Sequence, residues 1–201
     1  MGITRVGLFA TVLLAAGLSI RAAYAIPVHV DVGYTIDTSF GGFPGLANVA
    51  LSLDYDTDAP ATSPTFYPLS AAGTINGTPL AILSSFINIV NDVPFTPPRD
   101  RVQFNAEVNQ AFGGVTLQNL GLVLEGPATL FAAGAGPFVL DPEDFTIKEA
   151  YIVWQSGSNL FADYDFSPTI TVSVPEPSTL LLISAGLLGV GLARRRRPLN
   201  A

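Results

Sequence analysis

The chain has 201 residues, no cysteine and a formal net charge of −7. Without cysteine there is no disulfide framework and no thiolate zinc site. Residues 26–174 hold 15 Asp and Glu against only Arg99, Arg101 and Lys148, a balance of −12 that repels phosphate and argues against DNA or RNA as partners. Neutral polymers and cations fit that charge better. Mean hydropathy is +0.45, but much of the apolar weight sits in two runs, 6–20 and 180–193.

At the amino end, MGITRVGLFATVLLAAGLSIRAAYA sets a basic residue, Arg5, before an apolar run and a small-residue end. Ala23 and Ala25 form an A-x-A site, which predicts a signal helix over 1–25, cleavage after Ala25 and export by the Sec machinery, with Ile26 as the mature terminus. Arg21 is an unusual residue between the apolar run and the cleavage site. The run is too short and too poorly flanked for a membrane span.

Residues 26–173 are expected to form one extracytoplasmic domain, large enough to bury about 70% of its unfolded surface and to fold without metal or disulfide. Apolar and polar residues alternate at period two in VHVDVGYTI (28–36), NVALSLDYD (48–56) and VQFNAEV (102–108). VTLQNLGLVLE (115–125), FTIKEAYIVW (145–154) and PTITVSV (168–174) are further predicted strands. Turn-rich stretches separate them, among them NGTP (76–79), TPPRD (96–100) and QSGSN (155–159). Short strands at this spacing predict an all-β, jelly-roll-like antiparallel β-sandwich. Residues 80–90 fit a long strand or a short buried helix, and periodicity does not separate the two.

Several residues in this domain invite a chemical reading. Asp54, Asp56 and Asp58 form D-x-D-x-D, the opening of a calcium loop. An EF-hand counted from Asp54 would need Gly and Glu where Ala59 and Thr65 stand. Two readings stay open: a Ca²⁺ site completed by backbone carbonyls, or a solvated acidic strand edge that resists edge-to-edge pairing. His29 is the single histidine, with no G-x-S-x-G serine to activate, and reads as an exposed strand residue. Asp141, Glu143 and Asp144 offer a carboxylate pair for glycoside hydrolysis, or a turn with Asp141 as cap and Pro142 first in the helix. Gly134, Ala135 and Gly136 lack the third glycine of a dinucleotide fingerprint. Tyr151, Trp154 and Tyr164 could stack on sugar, although Trp154 ends an apolar strand and reads as core. Asn76, Gly77 and Thr78 match a glycosylation sequon and read more simply as a turn.

The carboxyl end has three parts in order. Val174, Pro175, Glu176 and Pro177 are extended, because each proline fixes its own φ and biases its predecessor away from helix. Residues 179–193 carry no charge and predict a single transmembrane helix of about 22 Å, short of the roughly 30 Å hydrocarbon core. Arg194, Arg195, Arg196 and Arg197 form a stop-transfer block whose place is cytoplasmic, leaving the domain outside.

This order over 174–197 resembles the PEP-CTERM sorting signal of Gram-negative bacteria, a module also called the ice-binding protein C-terminal domain without implying ice binding. The resemblance implies recognition by an exosortase, a membrane peptidase acting near the triplet. It also implies inner-membrane anchoring before processing, then a cell-surface or extracellular location beside exopolysaccharide or biofilm matrix. SLDYDTDAPATSP is similar to segments of extracellular domains found upstream of such signals, which supports a sandwich and transfers no activity. The expected function is that of a non-enzymatic surface or matrix protein. The alternatives are a carbohydrate-binding module, marked by exposed aromatics on one sheet face, and a polysaccharide hydrolase, marked by two carboxylates in a cleft.

Overall fold

The structure, a computed structural model, describes residues 25–39, 45–94, 96–131 and 136–175. The predicted signal helix with Ala23, the predicted helix 179–193, Glu176, Pro177 and the four arginines lie outside the described residues. Among the described residues no helix is long and apolar enough to cross a membrane.

The described residues are nearly all β, arranged as two antiparallel sheets. The strands are β1 (Pro27–Asp37), β2 (Leu46–Asp56), β3 (Phe66–Pro68), β4 (Ser70–Ile75), β5 (Thr78–Pro79) and β6 (Ile82–Val93). They continue as β7 (Arg99–Phe112), β8 (Val115–Pro127), β9 (Ile147–Ser156), β10 (Asn159–Asp165) and β11 (Thr169–Ser173). The smaller sheet runs β11-β1-β2-β4-β5, and the larger runs β10-β9-β8-β7-β6-β3.

Alternation sets which side chains meet. In β1, Val28, Val30, Val32, Tyr34 and Ile36 are buried while their neighbours face outward. β2 answers with Leu51 and Leu53, paired to Val32 and Val30. From the larger sheet, Phe104, Leu120, Leu122, Leu124, Ile152 and Trp154 come inward, each at most 1% exposed. Each such side chain contributes on the order of 1.5–3 kcal/mol by leaving water. The inward faces of both sheets share one apolar core. Buried Asp100 ties loops to this core, accepting from the amides of Phe131 (2.7 Å) and Asp92 (2.9 Å).

The strand order corrects the jelly-roll expectation. A jelly roll sends successive strands to alternate sheets, whereas β6 to β10 lie side by side in chain order within one sheet. The physical reason is the tight turns between strands: Gly113 and Gly114 (φ 55° and 97°) join β7 to β8, and Gly157 (φ 59°) joins β9 to β10. Residues 80–90 fall in strand β6. Four strands lie outside the predicted set: β3, β4, β5 and β10. Asn76 and Gly77, both with positive φ, turn β4 into β5. The Asn76 side chain accepts from the Asn48 amide (2.9 Å) and donates to Leu46 O (3.1 Å), tying that turn to β2.

The chain leaves the larger sheet for the smaller a last time between β10 and β11. Asp165 ends β10, and its carboxylate accepts from the amides of Ser167 (2.8 Å) and Thr35 (3.1 Å). It thereby satisfies a donor of β1 beyond the stretch that β11 covers.

Candidate functional site

The beginning and the end of the described β structure meet. β11 pairs with β1 so that Ser173 lies opposite His29. Val174 and Pro175, the first residues of the predicted sorting segment, therefore leave the sheet beside the point where β1 enters it. The amide of Ile26 donates to Thr57 Oγ1 (3.2 Å), and Thr57 N donates to Ile26 O (3.1 Å), fastening the strand start to the turn after β2. A cavity of about 260 Å³ opens here, lined in part by Pro27, His29, Asp54, Asp56, Ser70 and Pro175.

His29 does more than stand exposed on a strand. Its Nδ1 lies 2.7 Å from Asp54 Oδ1 and its Nε2 lies 3.2 Å from Asp31 Oδ1. The hydrogen bond to Asp54 raises the imidazole pKa above its ordinary value, partial desolvation opposes it, and the charges of Asp31 and Asp54 add to the rise. Asp31 sits two residues along the same face of β1, and Asp54 is directly opposite on β2. The i, i+2 pair His29 and Asp31 was visible in the sequence; the third member arrives only through strand pairing.

The predicted calcium ligands are not gathered. Asp54 and Asp56 share the outward face of β2 and Asp58 follows in the turn. Among the described residues no group of three or more His, Cys, Asp or Glu side chains is placed to hold a metal ion. Asp54 turns to His29 instead.

The LDPEDF carboxylates build a turn. Asp141 Oδ1 accepts from Glu143 N (3.0 Å) and caps a single 3₁₀ turn, Pro142–Asp144, with Pro142 at its first position. Glu143 lies 3.8 Å from Lys148. Asp141 and Glu143 also border an open groove of about 540 Å³ against Ile170 and Val172 of β11.

The three aromatic candidates divide between core and surface. Trp154 is fully buried, stacked on Phe161 at 5.9 Å. Tyr151 and Tyr164 are paired across β9 and β10 on the outer face of the larger sheet, ring centroids 6.3 Å apart. Gly121 makes Tyr151 possible: a Cβ there would sit 2.0 Å from Phe104 O and 2.8 Å from the Tyr151 hydroxyl. The Tyr151 hydroxyl donates to Asn105 Oδ1, and Gln103 Nε2 donates to both (3.3 and 3.2 Å). Burial pushes the Tyr151 phenol up to about 12. Phe166, 68% exposed, extends the row by stacking on Tyr164 at 6.3 Å. Sequence reading missed Asn105, Gln103, Gly121 and Phe166 because strand register, not spacing, assembles them.

Toward one border of that face, buried Glu125 meets two cations. Arg99 Nη1 lies 3.1 Å from its Oε2, and Arg101 Nε donates to its Oε1 at 2.8 Å. Two of the three basic residues of segment 26–174 are thus held by one carboxylate.

No curated protein and no solved structure matches the chain. Residues 173–197 match the family model of the PEP-CTERM protein-sorting motif. That segment starts at the last residue of β11 and runs through Val174, Pro175, Glu176 and Pro177 to the four arginines. The chain therefore carries a PEP-CTERM protein-sorting motif, the mark of an exported protein addressed to an exosortase.

Proposed function

We propose that this protein is a non-enzymatic surface or matrix component, exported by the Sec route, anchored in the inner membrane by residues 179–193 and released near the triplet to a polysaccharide-rich cell exterior. The sorting motif beginning where β11 ends carries this reading. Because β11 lies beside β1, the segments joined to the two ends of the β domain emerge at one pole. Both can lie at one membrane surface while the rest of the domain projects away. A non-enzymatic role is supported by what the candidate catalytic groups do: both His29 nitrogens face carboxylates, and Asp141 caps a turn.

The test replaces Pro175, Glu176 and Pro177 with alanine in a host that has an exosortase. Apolar length stays the same, so a plain anchor would behave as before. The expected outcome is accumulation of uncleaved protein in the inner membrane, with less at the surface or in the medium. Identical size and location for both forms would overturn the proposal.

A second reading, a carbohydrate-binding module, is favoured by one observation: Tyr164 and Phe166 are exposed and stacked beside Tyr151 on one sheet face.

A further inference from the structure

We infer that the outer face of the six-stranded sheet binds an extended, neutral polysaccharide, with Tyr164 and Phe166 as the stacking platform and the amides of Gln103, Asn88 and Asn119 as the polar lane. The inference deepens the carbohydrate-binding reading by naming the site and the ligand class.

The register builds the face. Pro68, Phe86, Asn105, Gly121, Tyr151 and Tyr164 are successive partners across all six strands. At ordinary strand spacing that row spans about 24 Å, room for several sugar rings in line. It is aromatic at both ends. Phe86 packs edge-on against Phe66 at 5.1 Å on one side, and Tyr151, Tyr164 and Phe166 form a continuous series on the other. Gly121 leaves room for the Tyr151 side chain in the middle, since a Cβ there would collide with Phe104 O and the Tyr151 hydroxyl.

The polar lane suits hydroxyl groups. An amide side chain both donates and accepts, as a sugar hydroxyl does. Gln103 and Asn105 are fixed by their bonds to Tyr151. Asn88 and Asn119 lie on the same face, opposite Gln103 and Glu107.

Charge selects among ligands that stack. Nucleic-acid bases and sugars both use aromatic faces, but a domain at −12 repels a polyanion. Arg99 and Arg101 are engaged with Glu125 rather than spread as a phosphate-binding patch.

The experiment is native affinity electrophoresis of the full chain in mild detergent, through gels containing hydroxyethylcellulose, galactomannan or polygalacturonate. We expect retardation by at least one neutral polymer and none by the polyanion. Tyr164→Ala with Phe166→Ala should weaken retardation at least tenfold. Both side chains are exposed, so folding should survive, and circular dichroism checks it. Tyr164→Trp should retain binding, as should Asp54→Asn on the opposite sheet. The inference is overturned if neither neutral polymer retards the chain, if the polyanion retards it better, or if the double variant behaves as wild type. It is equally overturned if sedimentation shows a self-associating chain that the double variant makes monomeric, since the face would then be an interface between copies. Failure here with normal sorting of the same chain leaves the exosortase reading intact.

Discussion

The two sheets share a core, yet their outer faces are chemically opposite. The smaller sheet turns acid and hydroxyl groups outward, among them the cluster of His29 between Asp31 and Asp54. The larger sheet turns aromatic rings and amides outward, locked by Tyr151 over Gly121. Alternation within a strand decides only that a face is outward. What the face becomes depends on which residues strand pairing sets side by side. The acidic face is held by charge and hydrogen bonding and responds to pH; the aromatic face is held by packing and responds to volume.

The largest break in that comparison should come from one methyl group placed on each sheet. Gly121→Ala would set a Cβ against backbone of β7. It should lose about 3 kcal/mol, the upper end of overpacking costs, or on the order of 6–12 °C in melting temperature for a chain this size. Gly33→Ala, on β1 of the smaller sheet, has nothing within 4 Å of the added carbon. It should change stability by no more than about 0.5 kcal/mol. Thermal unfolding of the two variants in parallel measures the contrast, and equal losses would mean that the Gly121 notch does not constrain the face.

Tyr151→Phe is gentler. It keeps the ring and removes the hydroxyl that donates to Asn105 and accepts from Gln103. Asn105 is buried, so the loss should be about 1–2 kcal/mol by urea unfolding. Asn105→Ala in the same background should then add little, because the two residues act as a pair.

The smallest effect belongs to the acidic face. The folded-state pKa of His29 is raised above its ordinary 6.5. Its charged form therefore adds stability in full below about pH 6.5, and the contribution disappears as pH rises through the higher folded value. The wild type should melt above His29→Gln at pH 5.5 by more than it does at pH 8.5. A difference that is flat across this window would show that Asp31 and Asp54 do not hold the imidazolium. Solvent exposure of all three side chains keeps the effect modest.

Legibility in the sequence followed the same division. β1 and β2 were readable because Val30, Val32, Leu51 and Leu53 alternate with polar residues. β4 was not, because SAAGTI offers small side chains and no apolar alternation; Gly73 sits there because a Cβ would strike Leu51 and Ala50 O. β10 is an edge strand whose Leu160 and Tyr164 stay exposed, so its pattern carries no buried stripe. Strand order was illegible since residue patterns mark strands, not the sheet each one joins. Asp141 was readable as a cap because capping is local. The His29 cluster and the Tyr151 row are non-local, joining residues 25 and 46 positions apart. The sorting motif was fully legible because its parts act in linear order along one segment.

That linear motif supports the central claim that the chain is processed as an exosortase substrate. Intact mass of the protein recovered from cells with and without an exosortase tests it most directly. The account predicts that exosortase-containing cells yield a chain lacking the apolar run and the four arginines, cut near Pro175, Glu176 and Pro177. Cells without the enzyme should retain the segment through Arg197. The same mass from both, with the arginines present, would contradict it.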